Sequence, residues 1–487
     1  MKKLNYKILS LGGLITMFAA CNLEETNINP NNATDATVDV LLPAAQTNII
    51  YGTNGETGEY ASILVQQMTG TLSDFQDVMN YSFLNEFFDF SWNQRLYAGA
   101  LVDLETIIEK SNENGATHYR GVARILTALA LGNIVDNWND APFSTALDLL
   151  GNPQPTYDDA ADLYVEIQEL LDLGIEDLQL ESLISPSNND FIYRASSQTA
   201  WVANSAPKWI KTARALKARY HNHLSKVDPA GSANDALQSI SGGTFTGNED
   251  DANIDFGNNQ AGPWFSFLSS TFGQNNIAVC QTFIELLRDR VAPGVDDPRM
   301  EFYLKENGDG LYNGVPYGQI EIPDDVTLVG DYINRLAAPT NIITYTEVKF
   351  IEAEANFRLN NFGEAAEAFN EAVKSSILRV TGEANPVYEA QYASEDAASI
   401  QVNGLEKIFT EKHIALFLEP EAWVDWRRSI PAGADGTVSG IPNLAPSATN
   451  ETGGVFPRRF LYPQSEIINN SFNVPPAVNT DKVFWDR

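Results

Sequence analysis

Trp264, Phe265, Phe267 and Phe272 stand in the segment FGNNQAGPWFSFLSSTFGQNN (256–276), embedded in glycine, serine, asparagine and glutamine. Flat aromatic faces stack on the C–H faces of sugar rings, and amides and carboxylates pair with ring hydroxyls. Such polar density resists packing as a core helix. Two readings stand for these rings: at least one is exposed toward a ligand, or alternate ones anchor the loop inward. A second segment, SDFQDVMNYSFLNEFFDFSW (73–92), offers Asp74, Gln76, Asn80 and Tyr81 to a ligand, with Phe87, Phe88 and Phe90 expected in the core.

Reaction chemistry finds little support. The chain contains no Gly-x-Ser-x-Gly, Walker or His-Glu-x-x-His pattern. A glycosidase needs two carboxylates at a set separation, but with 64 acidic residues such pairs carry no information. The 4 histidines are scattered. His221 and His223 stand two apart on a predicted helix, so they point in different directions and do not share a metal. A serine nucleophile with a histidine base is marked by nothing. The stretch NEDDANIDFGNN (248–259) has oxygen donors for a structural calcium ion but lacks the full EF-hand spacing. No catalytic cofactor is expected.

Helical elements must position the two segments. Leu41, Leu42, Ala45, Ile49 and Ile50 recur at helical spacing, as do Ile63, Leu64 and Met68. A helix opening at Trp92 is expected to run to about Lys110, followed by a loop at 111–117. Val122, Ile125, Leu126 and Leu129 then form a stripe that NWNDAPFSTAL (137–147) breaks. Further helices are predicted over about 157–178, around Trp209–Leu224, and around Ala236–Ile240. From 244 to 341 the texture changes to a loop-rich insertion with short strands and one helix near 277–290, which contains Cys280. That cysteine reads as a small buried hydrophobe. Helices return in ITYTEVKFIEAEANFRL and FGEAAEAFNEAVKSSIL. One long helix is predicted over 404–428 and an irregular tail over 429–487. Trp138, Trp423 and Trp426, with Asp425, Arg427 and Arg428, read as structural.

The chain has 487 residues, 44% hydrophobic and 20% charged, which suits a large folded core. Its formal charge of −33 repels phosphate backbones and excludes nucleic acid as a natural partner. The same charge points to a neutral ligand rather than a polyanion. The first 21 residues, MKKLNYKILSLGGLITMFAAC, combine basic Lys2, Lys3 and Lys7 with an apolar run too short to span a bilayer. Ala19 and Ala20 precede Cys21. This resembles a bacterial lipobox, with Phe18 where leucine is more usual. The expectation is a signal peptide at 1–20, lipidation of Cys21, and a membrane anchor made of acyl chains. Residues 21–40 then read as a polar tether, and 41–487 as a single domain. Once Cys21 is lipidated, Cys280 has no partner for an internal disulfide.

The helix pair at 344–378 resembles a tetratricopeptide unit, with alanines at 353, 355, 365, 366 and 368 allowing close approach and Phe369 filling the seam. Several segments in order, among them WNQRLYAGALVDL, ALALGNIVDNWNDAPFSTAL, KWIKTARALKARYHNHLSK, IALFLEPEAWVDWRRS and PRRFLYPQSEIINNSFN, resemble the SusD/RagB family of outer-membrane lipoproteins, in its SusD-like, starch-binding-associated branch. In that light Trp92 and Tyr97 match a structural helix start. Glu24 and Glu25 resemble the acidic signal that sends lipoproteins to the outer face. The resemblance implies a mainly α fold of tetratricopeptide-like helix pairs with loops on one side. It also implies a non-enzymatic surface protein that captures oligosaccharides as the lid of a SusC-like, TonB-dependent transporter. Alternatives are the same role with a peptide ligand, a surface glycoside hydrolase, and a scaffold that binds only proteins.

Overall fold

Helices form here where apolar residues recur at three- and four-residue spacing, and they stop where capping residues take over the end groups of the backbone. The structure, a computed structural model, describes residues 36–147, 151–257 and 260–487. The leader, Cys21, Glu24, Glu25 and most of the tether therefore lie outside the described residues. The principal helices are α1 (Val38–Ile50), α2 (Val102–Asn114), α3 (Thr117–Trp138), α4 (Ala160–Gln179), α5 (Gln198–His223), α6 (Pro229–Ser241), α7 (Tyr345–Arg358), α8 (Phe362–Thr381), α9 (Gly404–Ala415) and α10 (Glu421–Ser429). Asp159, Ser197, Asp228 and Thr344 cap α4, α5, α6 and α7, each accepting a backbone N–H of the first turn. Residues 38–487 make up one compact unit.

Each scaffold helix packs on its successor: α2 on α3, α3 on α4, α4 on α5, α5 on α6, α6 on α7, and α7 on α8. The result is a mainly helical, tetratricopeptide-like scaffold of helix pairs. Small residues set the spacing. A Cβ placed on Gly121 would lie 3.0 Å from the carbonyl of Gly174, and one on Gly174 would lie 3.0 Å from the carbonyl of Gly121, so α3 and α4 touch backbone to backbone. In the α7–α8 pair Ala353, Ala366, Ala368 and Ala372 are buried around Phe350 and Phe369.

Several expectations are corrected. The predicted loop at 111–117 is mostly helix, because α2 runs to Asn114 and only Gly115, in the left-handed region at φ 71°, and Ala116 separate it from α3. The helix predicted over 404–428 is two helices. The backbone turns at Leu418 (φ 61°), Pro420 follows, and the Leu418 N–H donates to Gln67 Oε1 instead of continuing a helix. Cys280 lies just before the helix Gln281–Leu287, not within one, since Ile277–Val279 is a strand. It is fully buried, and burial pushes its thiol up to about 11.

The insertion contributes to three two-stranded antiparallel sheets among the described residues. β1 (Met68–Gly70) pairs with β3 (Ile277–Val279), β2 (Ala252–Asp255) with β6 (Pro339–Ile343), and β4 (Leu304–Lys305) with β5 (Leu328–Val329). The first pair brings the 73–92 segment beside the 256–276 segment. Two carboxylates of the acidic stretch are engaged structurally: Asp250 accepts from Lys211 and Thr246, and Asp251 accepts the Tyr345 N–H that follows the Thr344 cap.

Apart from the short helix Gln464–Asn469 the tail is irregular, yet it is deeply inserted. Phe460 stacks on Phe88 (4.7 Å) and Trp423 (4.8 Å), beside Trp138 and Trp92. Trp423 and Trp426 are 1% exposed. Beneath this cluster runs a buried ionic network. His223 Nε2 pairs with Glu421 Oε1 at 2.8 Å, and its Nδ1 lies 3.3 Å from Asp136. Burial opposes the charge on this imidazole, but the Glu421 and Asp136 carboxylates outweigh it and hold it up to about 9. The folded state thus binds a proton that the unfolded chain releases above its ordinary value of about 6.5. Stability from this group is complete below about pH 6.5 and is lost as pH rises toward 9, at up to about 1.4 kcal/mol per pH unit. Denaturation midpoints measured from pH 6 to 9.5 should fall over that window. The same series in His223→Gln should be flatter, and an equal slope in both would remove His223 as the cause.

Candidate ligand-binding cleft

An open cleft of about 520 Å³ lies where the two chemistry-bearing segments meet. Its size falls within the range of about 300–1,000 Å³ typical of small-molecule sites. Its floor and one wall come from YGTNGETGEY (51–60). The three glycines of that run interrupt a helical stretch, and the backbone winds wide over Tyr51–Glu56, with Gly55 leaving helical geometry (φ −84°, ψ −117°). This turn faces Tyr51, Glu56, Glu59 and Tyr60 into the cleft. The helix Ser73–Met79 adds Asp74 and Phe75. The segment 85–95 adds Glu86, Phe87, Phe90 and Arg95. The short helices Pro263–Leu268 and Thr271–Asn276 add Ser266, Phe267, Ser270 and Phe272.

The aromatic wall is held by packing. Phe75 lies 5.2 Å from Phe267 and 5.9 Å from Phe272, ring centre to ring centre. Ser270 caps the last short helix through the Gly273 N–H (2.9 Å). Gly273 is required there, because a Cβ would lie 2.1 Å from the carbonyl oxygen of Phe267. Two rings remain largely open, Phe90 at 47% and Phe272 at 53% exposure. Across the cleft Tyr51 donates to the carbonyl of Ala261 (2.7 Å), tying the wide turn to the loop. The Arg95 guanidinium sits over the rings of Tyr51 (5.0 Å) and Phe90 (4.9 Å) and donates to Asn48 Oδ1.

The carboxyl groups are unevenly satisfied. Glu56 Oε2 accepts from Ser91 Oγ at 2.5 Å. Burial raises its carboxyl above the ordinary range, against the opposing pull of Ser91 and Arg95. Glu59 is 7% exposed, and no hydrogen bond or ion pair reaches its carboxyl among the described residues. Burial, and then the neighbouring Glu56, push it well above the carboxylate range.

The residues singled out from the sequence separate into those the fold brings together and those it does not. Asp74, Phe267 and Phe272 line the cleft, and Phe90, expected in the core, joins them. Phe87 and Phe88 are buried, although Phe87 reaches the cleft floor. Trp264 turns inward: it is 5% exposed and its Nε1 donates to the carbonyl of Leu418 (3.0 Å). Phe265, half-buried, lies with it against a separate void of about 30 Å³. Gln76 is half-buried and outside the cleft lining. The Asn80 side chain is occupied by the tail, accepting from Thr449 Oγ1 at 2.6 Å and Ser447 Oγ at 3.2 Å. Tyr81 is buried, left-handed (φ 62°) and packed on Phe456. The sequence reading missed Tyr51, Glu56, Glu59 and Arg95. Their signal was the glycine cluster at 52, 55 and 58, costly inside a helix unless a special backbone is needed.

A helix-pair scaffold carrying an open aromatic cleft in its loops is the class that fold and site define. The description "Starch-binding associating with outer membrane" belongs to the SusD-like family whose pattern matches residues 30–463, and the chain is a member of that family. No curated protein sequence matches it. Its fold is similar to that of a SusD/RagB family protein from Bacteroides thetaiotaomicron, at 22% identity and a TM-score of 0.73, covering 93% of this chain and 99% of that one. It is similar to a SusD homolog from Bacteroides uniformis, at 20% identity and a TM-score of 0.74, covering 93% and 100%. It is also similar to a chitin-binding SusD homolog from Flavobacterium johnsoniae, at 19% identity and a TM-score of 0.73, covering 92% and 97%. No helix among the described residues is long and apolar enough to cross a membrane.

Proposed function

We propose that this protein is a non-catalytic, lipid-anchored binding protein of the outer cell surface, which captures an oligosaccharide in the cleft and serves as the lid of a SusC-like, TonB-dependent transporter. The observation that carries ligand capture is the cleft itself: about 520 Å³, open, with two half-exposed phenylalanine rings opposite polar and acidic side chains. Stacking on Phe90 and Phe272 supplies affinity with little geometric demand, while Glu56, Glu59, Asp74 and Arg95 read hydroxyl or charged substituents. Modest affinity suffices, since the transporter removes the captured ligand. Family membership supports the outer-membrane setting, and the Cys21 lipobox supports the anchor.

Affinity electrophoresis and calorimetry against a panel of polysaccharides and peptides test this reading. Binding of a glycan with no release of reducing sugar is the expected result. Phe272→Ala should weaken it about five- to tenfold, equivalent to about 1–1.4 kcal/mol, with the circular dichroism spectrum unchanged. Unaltered binding in that variant would take the ring out of the site. Binding of peptides alone would change the ligand class, and reducing-sugar release would reverse the non-catalytic assignment. Purification of the protein from its own membranes should bring down a barrel transporter, and its absence would count against the lid role.

A further inference from the structure

The cleft narrows the ligand class further, on the reading that the cleft is the glycan site. Four acidic side chains line it, Glu56, Glu59, Asp74 and Glu86, against one cation, Arg95. The cation is already engaged by two rings and by Asn48. Glu56 and Asp74 each accept from a neighbouring serine, Ser91 and Ser73. Glu59 is different. It is more than nine-tenths buried, lines the cleft, and has no hydrogen-bond or ion-pair partner among the described residues. A buried, unpartnered carboxyl is costly to keep unless something that enters the cleft completes it.

The charge balance selects what that is. An anionic sugar would meet an acidic lining whose one cation is already engaged. A neutral sugar would offer hydroxyls but no Coulombic compensation in a site where local charge counts for more than in water. A bare metal ion does not fit, because among the described residues no three acidic, histidine or cysteine side chains converge to hold one. The acidic groups are instead distributed along an aromatic cleft, which suits cationic groups carried on stacked rings. The half-exposed face of Phe272 also attracts cations.

We propose that the cleft selects glycans bearing free, protonated amino groups, that is, amino sugars without their N-acyl substituent, with the Glu59 carboxylate receiving an ammonium.

Three oligosaccharides with the same β-1,4 backbone and different groups at one ring position test the proposal: the hexamer of glucosamine, its fully N-acetylated counterpart, and cellohexaose. Calorimetry on the purified protein should show the free-amine hexamer binding at least tenfold tighter than either neutral one, with the ratio falling as salt is added. In Glu59→Gln the ratio should shrink to about twofold, and in Phe272→Ala the free-amine hexamer should lose affinity. Equal or tighter binding of a neutral hexamer to the unmodified protein overturns the amine preference, as does no binding of the free-amine hexamer. If a neutral hexamer binds and Phe272→Ala weakens it, the cleft reading survives that result. A preference that persists in both variants belongs to the general negative charge of the surface and also overturns the proposal. If no glycan responds to Phe272→Ala, it is the cleft reading that fails.

Discussion

Replacing Arg428 with alanine is expected to lower the unfolding free energy by about 3–5 kcal/mol, read as a drop in the denaturant midpoint. Arg428 is 2% exposed and makes a bidentate pair with Glu354 (2.9 and 2.8 Å). It also donates to Asp425 Oδ1, Ser225 Oγ and the carbonyl of Asn222. One guanidinium therefore joins α10 to α5 and α7. The pair holds Glu354 far below the ordinary carboxylate range, although burial alone would raise it. Removing the cation strands a buried carboxylate with less compensation, which is why the cost exceeds that of a surface pair, about 0–1 kcal/mol. A shift under about 1 kcal/mol would mean that the network contributes little.

Asp190→Ala should be similarly damaging, at about 3–5 kcal/mol, by a different route. Asp190 is fully buried and is satisfied by N–H donors rather than by a cation. Its Oδ2 accepts from the indoles of Trp201 and Trp209, both at 2.7 Å. Its Oδ1 accepts from Gln46 Nε2 (2.8 Å) and from the backbone of Ile192 and Tyr193. The carboxylate thereby pins α1 and α5 to the loop between α4 and α5. Alanine leaves every one of these donors without its acceptor. The near-isosteric Asp190→Asn is informative: an amide offers one acceptor oxygen, and its NH2 would face donors on the other side. It should therefore still lose about 2–3 kcal/mol. A near-neutral result for Asn in thermal or chemical unfolding would show that volume, not acceptor chemistry, sets the role of this site.

Much of the scaffold was legible from the chain alone. Helical periodicity is local, so the stripes at Val122–Leu129 and Leu163–Leu178 and the alanine-rich pair after 344 located α3, α4, α7 and α8. The burial of Cys280 followed from its apolar surroundings, and that of Trp423 and Trp426 from their three-residue spacing on one helix face. The cleft was legible only in halves. Both segments that form its aromatic wall were visible, but not that β1 and β3 would set them side by side. Which way each ring turned also escaped local reading. Trp264 faces inward because an acceptor for its indole N–H waits at Leu418, 154 residues away, while Phe272, eight positions along the same loop, has no donor to satisfy, packs only edgewise on Phe75 and Phe267, and stays open. Tyr81 and Asn80 are claimed by the tail through contacts of more than twice that span. Periodicity and caps depend on neighbours three or four residues apart, so the sequence by itself determined the helices and the polar–aromatic composition of the loops. Side-chain direction in a loop depends on partners hundreds of residues away, so only the tertiary structure decided which of those residues form the cleft, and that Glu59 stands in it without a partner.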